Sequence, residues 1–78
     1  MAKIVRFIPG DREVKPPQSE VDGYFQRMIA EDGTSYLYLY NYAEGGPNPG
    51  ASPTQSMHFD RAAAEDFRKI LDEAFETE

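Results

Sequence analysis

Cysteine and tryptophan are absent from this 78-residue chain, histidine occurs once, and basic residues number 8 against 14 acidic ones. Without Cys there is neither a disulfide framework nor a thiolate metal site. A single His, His58, with scattered carboxylates supplies no ligand set at recognised zinc or calcium spacing, so no metal and no cofactor are expected. No apolar run reaches the length of a membrane span or a signal-peptide core, which makes the cytoplasm the expected compartment and a membrane no expected partner. The formal charge of −6 opposes attraction to phosphate backbones and favours partners with a basic surface. The acids are concentrated late in the chain: residues 60–78 hold seven against three bases, whereas residues 1–30 hold four against five.

Catalytic chemistry is equally thin. The acid nearest to His58 in sequence is Asp60, two residues on, and an Asp directly before an apolar helical pattern reads as an N-cap rather than as the partner of a general base. The Gly-rich stretch 45–50 lacks the Lys-Ser/Thr of a phosphate loop and does not open a helix. No catalytic residue is expected, and the chain is read as a non-enzyme. A chain of this length forms one domain, residues 1–78, and removes only about 60–65% of its unfolded surface from water, which leaves little room for a deep cleft.

What the chain does have is tyrosine at strand spacing. Residues 34–42 read Thr-Ser-Tyr-Leu-Tyr-Leu-Tyr-Asn-Tyr, with four of the five tyrosines at every second position. In a β-strand alternate side chains share a face, so Tyr36, Tyr38, Tyr40 and Tyr42 line one side and Leu37 and Leu39 the other. Such a strand is apolar on both sides, and one helix can cover only one of them. The other is left to a partner, a second copy or a ligand.

The remaining elements follow from local signals. Lys3 to Ile8 reads as a first strand closed by Pro9-Gly10, and residues 9–20 as a flexible polar connection. Val21 to Ala30 reads as a second strand joined through Asp32-Gly33 to a third at 34–43. If Asp32 and Gly33 are the two loop residues, Ile29 faces Tyr36, Arg27 faces Tyr38, Phe25 faces Tyr40 and Gly23 faces Tyr42. Phe25 and Arg27 then join the tyrosine face, while Met28, Gln26 and Tyr24 lie with Leu37, Leu39 and Asn41. A three-residue bulged loop would shift the pairing by one and place Ile29 and Phe25 with the leucines. The two-residue turn is the preferred reading.

Residues 44–54 carry three Gly and three Pro and form a second flexible connection. Gln55–Phe59 is a fourth strand, Asp60 an N-cap, and Arg61 to about Glu76 an amphipathic helix. Ala63, Phe67, Ile70, Leu71 and Ala74 form its apolar stripe, and Phe67 and Leu71 are expected among the most buried side chains. The expected fold is α+β, a four-stranded largely antiparallel sheet with one C-terminal helix across one face.

The last elements have a family likeness. Tyr38-Leu39-Tyr40-Asn41-Tyr42, the loop running to Pro53, and Ser56-Met57-His58-Phe59-Asp60 opening an acidic helix give residues 21–76 an order that resembles the single-stranded-DNA-binding domain of the positive-cofactor coactivator and Whirly class. That resemblance implies a sheet face that binds single strands. Size, charge and lack of chemistry resemble instead the small phage or mobile-element inhibitors that occupy basic nucleic-acid-binding surfaces, anti-CRISPR proteins among them. The chain is therefore read first as an acidic protein-binding module, possible also as a homodimer, second as a single-stranded nucleic-acid binder, and third as a weakly specialised hydrolase or ligand-binding domain. The residues expected to carry binding are Tyr36, Tyr38, Tyr40, Tyr42, Phe25 and Arg27 on the sheet, with Glu65, Asp66, Asp72, Glu73 and Glu76 on the helix.

Overall fold

The computed structural model describes residues 2–76 and runs β1 (Lys3–Ile4), β2 (Tyr24–Ile29), β3 (Ser35–Asn41), β4 (Gln55–Phe59) and α1 (Arg61–Phe75). The four strands form one mixed sheet in the order β1-β4-β3-β2. The ladders β2–β3 and β3–β4 are antiparallel, while β1 lies parallel to β4, with Lys3 beside His58 and Ile4 beside Phe59. The fold is thus the expected α+β arrangement, with the first strand brought to the far edge by a pairing between distant parts of the chain.

The β2–β3 register corrects the preferred reading of the turn. Tyr24 faces Tyr40, Gln26 faces Tyr38 and Met28 faces Tyr36, while Phe25 faces Leu39 and Arg27 faces Leu37. The loop therefore has three residues, Glu31, Asp32 and Gly33, enclosed by the hydrogen bond from Ala30 N–H to the Thr34 carbonyl. A two-residue type I′ turn needs positive φ at both loop positions, and only Gly33 has it, at 88°. Asp32 keeps negative φ and uses its carboxylate instead to accept the Thr34 N–H at 2.9 Å. A left-handed glycine closing a three-residue loop is the bulged hairpin, and it exchanges the two faces of β2.

The first strand is shorter than its apolar run suggested. After Ile4 the chain leaves the ladder and Phe7 turns over the sheet, its ring 5.8 Å from that of Phe59 and 5.2 Å from that of Phe67. Phe59 and Phe67 are 5.4 Å apart with their planes 9° from parallel. This triangle of rings joins the N-terminal segment, β4 and α1, and the separations lie in the range where aromatic pairs attract beyond simple burial.

Helix α1 begins as its sequence dictates. Asp60 has extended backbone and its Oδ1 accepts the Ala63 N–H at 2.9 Å, satisfying one of the orphan donors of the first turn. The stripe then lays Ala63 and Phe67 against β3 and β4. Among the described residues only Phe59 and Ala63 are buried. Phe67 is half-buried, and Leu71, expected beside it in the core, is 43% exposed. The period predicts which side of a helix turns toward the sheet; it does not predict how much sheet lies beneath, and α1 meets the sheet through its first half.

Because the core is concentrated on one ring, truncating it is expected to be severe. Phe59→Ala should destabilise by roughly 3–5 kcal/mol, a large share of a small domain's stability, whereas Val14→Ala, at an exposed site, should leave the thermal midpoint unchanged. Equal midpoints for Phe59→Ala and the wild type in a thermal melt would mean that the ring triangle does not hold the fold.

Candidate functional site

Alternation along β3 sends Leu37 and Leu39 toward α1 and Tyr36, Tyr38 and Tyr40 to the opposite side of the sheet. The register brings Tyr24, Gln26 and Met28 of β2 to the same side, and β4 contributes Ser56 and His58. The rings form a continuous ladder. Tyr38 stacks on His58 at 4.5 Å and on Tyr40 at 4.8 Å, and Tyr40 stacks on Tyr24 at 5.3 Å. Tyr42, just beyond the end of β3, stands edge-on to Tyr24 at 5.5 Å and to Tyr40 at 5.9 Å. Tyr36 meets His58 edge-on at 6.2 Å. The Tyr40 hydroxyl donates to Gln26 Oε1 at 3.0 Å, which fixes that ring within the ladder.

All six rings are half-buried, and their shielding comes from one another and from the sheet. No strand or helix among the described residues lies over them. The result is a preformed aromatic surface whose side chains are held by mutual stacking, which lowers the conformational entropy lost when something docks on it.

The electrostatics at its margins are mostly negative. At the Tyr24 and Tyr42 end the rings share a shallow hollow with Glu20, Asp22, Gly45 and Gly46. The hairpin with Glu31 and Asp32 stands at the other end. Lys3 is the one Lys or Arg that the strands bring to this face; its Nζ lies 5.7 Å from the Tyr36 ring centre and 3.3 Å from Asp60 Oδ2. Two carboxyls are held below the ordinary 3.8: Asp32, chiefly by the Thr34 N–H, and Asp60, chiefly by the Ala63 N–H and then by Lys3.

The structure brings Tyr36, Tyr38, Tyr40 and Tyr42 together as expected from their spacing. It corrects the placement of Phe25 and Arg27: the three-residue loop turns both to the helix side, where Arg27 borders a cleft with Arg61, Glu65 and Arg68. Tyr24, Gln26 and Met28 take their places beside the tyrosines. Glu65, Asp66, Asp72 and Glu73 on α1 and Glu76 at its C-cap are all exposed, on the other side of the sheet from the tyrosine ladder. The rings and the helix acids therefore form two separate surfaces.

His58 belongs to the ladder although its sequence context singles it out only as a solitary histidine. The available signal was alternation in Gln55–Phe59: a Phe59 turned to the helix next to its cap obliges His58 to face away. Among the described residues no three His, Cys, Asp or Glu side chains converge to hold a metal ion, and no helix is long and apolar enough to cross a membrane. Comparison with protein-family models, with curated proteins and with solved structures finds no match.

The two lowered carboxyls set a pH dependence of known sign. A group whose pKa is depressed on folding stabilises the fold above its unfolded value, and that contribution is lost as pH falls through the folded value. Asp60→Asn keeps a capping oxygen but loses the charge that Lys3 and the helix N-terminus favour. The wild type should therefore melt above Asp60→Asn at neutral pH, with the gap closing as pH is lowered below 3.8. A gap that is constant from pH 7 to pH 2 would show that the carboxylate charge plays no part in the cap.

Proposed function

We propose that the protein is a non-catalytic protein-binding module whose tyrosine face receives a basic partner. The observation that carries this reading is the aromatic ladder ending in the hollow of Tyr24, Tyr42, Glu20 and Asp22. Aromatic faces attract guanidinium and ammonium groups through the ring quadrupole, and adjacent carboxylates accept their hydrogen bonds. An Arg or Lys side chain from a partner is matched by both at once. The overall charge of −6 steers such a partner in and repels polyanions. Function as an inhibitor that covers a basic nucleic-acid-binding surface, in the manner of anti-CRISPR proteins, agrees with this chemistry.

One observation favours a second reading. The stacked run His58, Tyr38, Tyr40 and Tyr24 is a surface on which unpaired bases can stack, as in sequence-tolerant single-strand binders. Such binders add cations that track the backbone. Here the strands supply this face with Lys3, already paired with Asp60, and the register turns Arg27 away, so the protein partner is preferred.

The absence of tryptophan leaves tyrosine emission as the intrinsic reporter of this surface. Titration with an arginine-rich peptide should change that emission, and binding should weaken by about 2- to 5-fold for each ring removed, the equivalent of about 0.5–1 kcal/mol per exposed cation–π contact. Tyr42→Ser and Asp22→Asn are the informative variants. If the peptide does not bind while a short oligothymidine binds at physiological salt and is released by Tyr38→Ser, the second reading replaces the first.

A further inference from the structure

We infer that the chain is an obligate two-fold homodimer closed through the helix side of the sheet, which leaves both tyrosine faces outward. Surface area is the starting point. The protomer exposes 7146 Å², whereas surface scaling gives a folded monomer of 8.8 kDa about 4,800 Å². Its radius of gyration is 14.7 Å, against about 11.5 Å for a compact domain of this length. Part of the surplus of about 2,300 Å² belongs to residues 5–23, which apart from Phe7 are exposed and outside the strands and helix, and part to the exposed loop 43–52. The remainder lies with the folded elements, where one subunit of an obligate dimer buries about 1,000–2,500 Å².

Large apolar side chains left bare on the helix side show where such an interface lies. On the sheet, Phe25 is 76% exposed and shares an apolar hollow with Leu39 and Met57, while Ile29, 58% exposed, stands at the hairpin end of the same strand. On α1, Ile70 and Leu71 continue the stripe of Ala63 and Phe67 past the point where the sheet covers it, and Phe75 is 58% exposed. One chain thus carries a bare helical stripe and a bare sheet patch. Neither can cover the other within the protomer, because the rigid helix is fixed at its first half by the ring triangle. A two-fold axis resolves both at once, with the second half of each helix on the other protomer's patch.

Charge points to the same occupant. Arg27, between Phe25 and Ile29 on β2, borders the cleft with Arg61, Glu65 and Arg68 and makes no ion pair among the described residues. The second half of α1 carries Asp72 and Glu73, Glu76 is its C-cap, and its last turn has no basic residue, an arrangement that the helix dipole disfavours. A second copy supplies a cation to each helix end and an acid to each Arg27. An unrelated partner would have to match the stripe, the patch and both charges independently.

The test is oligomeric state in solution, read by sedimentation equilibrium together with the thermal midpoint at several protein concentrations. The wild type should sediment as a dimer, and its midpoint should rise with concentration, as mass action requires. Phe25→Glu, at a site already exposed in the protomer, should weaken the dimer by about 100-fold or more, because it removes an apolar anchor and sets a carboxylate against the acidic end of the other protomer's helix. Tyr38→Ser should leave it intact. If Phe25→Glu fails to fold, the cysteine-free background allows a second route: a Phe25→Cys/Leu71→Cys variant treated with a short thiol cross-linker should yield covalent dimers, and Tyr38→Cys should not. A wild type monomeric at about 100 µM with a concentration-independent midpoint overturns the proposal. So does a dimer that survives Phe25→Glu, one dissolved by Tyr38→Ser, or cross-linking confined to Tyr38→Cys.

Discussion

Gly33 sits at φ 88° and the Thr34 N–H is held by the Asp32 carboxylate, so the chain turns back from β2 to β3 through three residues. In a sheet a slip of one position moves every side chain of a strand to the other face. The composition of both surfaces therefore rests on that loop. It places Tyr24 under Tyr40, where the two rings stack, and sends Phe25 to Leu39 and Arg27 to Leu37. A shorter turn would have put a guanidinium amid the tyrosines and a tyrosine and the Gln26 amide under the helix.

The two faces then differ in kind. Toward the open side, each ring is immobilised by its neighbours while its hydroxyl or edge remains available, so the surface is rigid and amphipathic before anything binds. Toward the helix, the tight packing is around Phe7, Phe59, Ala63 and Phe67, and beyond this cluster Phe25, Ile70, Leu71 and Phe75 stay exposed among the described residues. The first is a property of recognition surfaces and the second of incomplete cores. A single helix of fifteen residues, fixed at one end, serves the second surface only in part.

Much of this was legible in the sequence, for reasons that are local. The N-cap Asp60, the helix from Arg61, the strand Gln55–Phe59 and the sharing of one face by the tyrosines each depend on residues within a few positions of one another. The loop was ambiguous because Asp-Gly suits both the two- and the three-residue turn. What decides is the sign of φ at Asp32 and a side-chain hydrogen bond to Thr34, neither of which the residue types alone specify. Phe7 and the parallel pairing of β1 were hidden by distance, since Lys3 and Ile4 meet His58 and Phe59 only in the folded chain. Leu71 has the spacing of a core residue, but spacing carries no information on where the sheet stops.

The pairing of β1 with β4 also imposes an order in time. A ribosome delivers Ala2, Lys3, Ile4 and Phe7 long before His58, Phe59 and Phe67, and at a synthesis rate of 5–20 residues per second the wait is roughly 3–11 seconds. The hairpin of β2 and β3 can close meanwhile, because its contacts are near in sequence. The edge strand cannot, and neither can the ring triangle that joins it to the helix. For that interval the nascent chain holds a β-rich, apolar segment with no native partner, and the last step of assembly belongs to the residues made first.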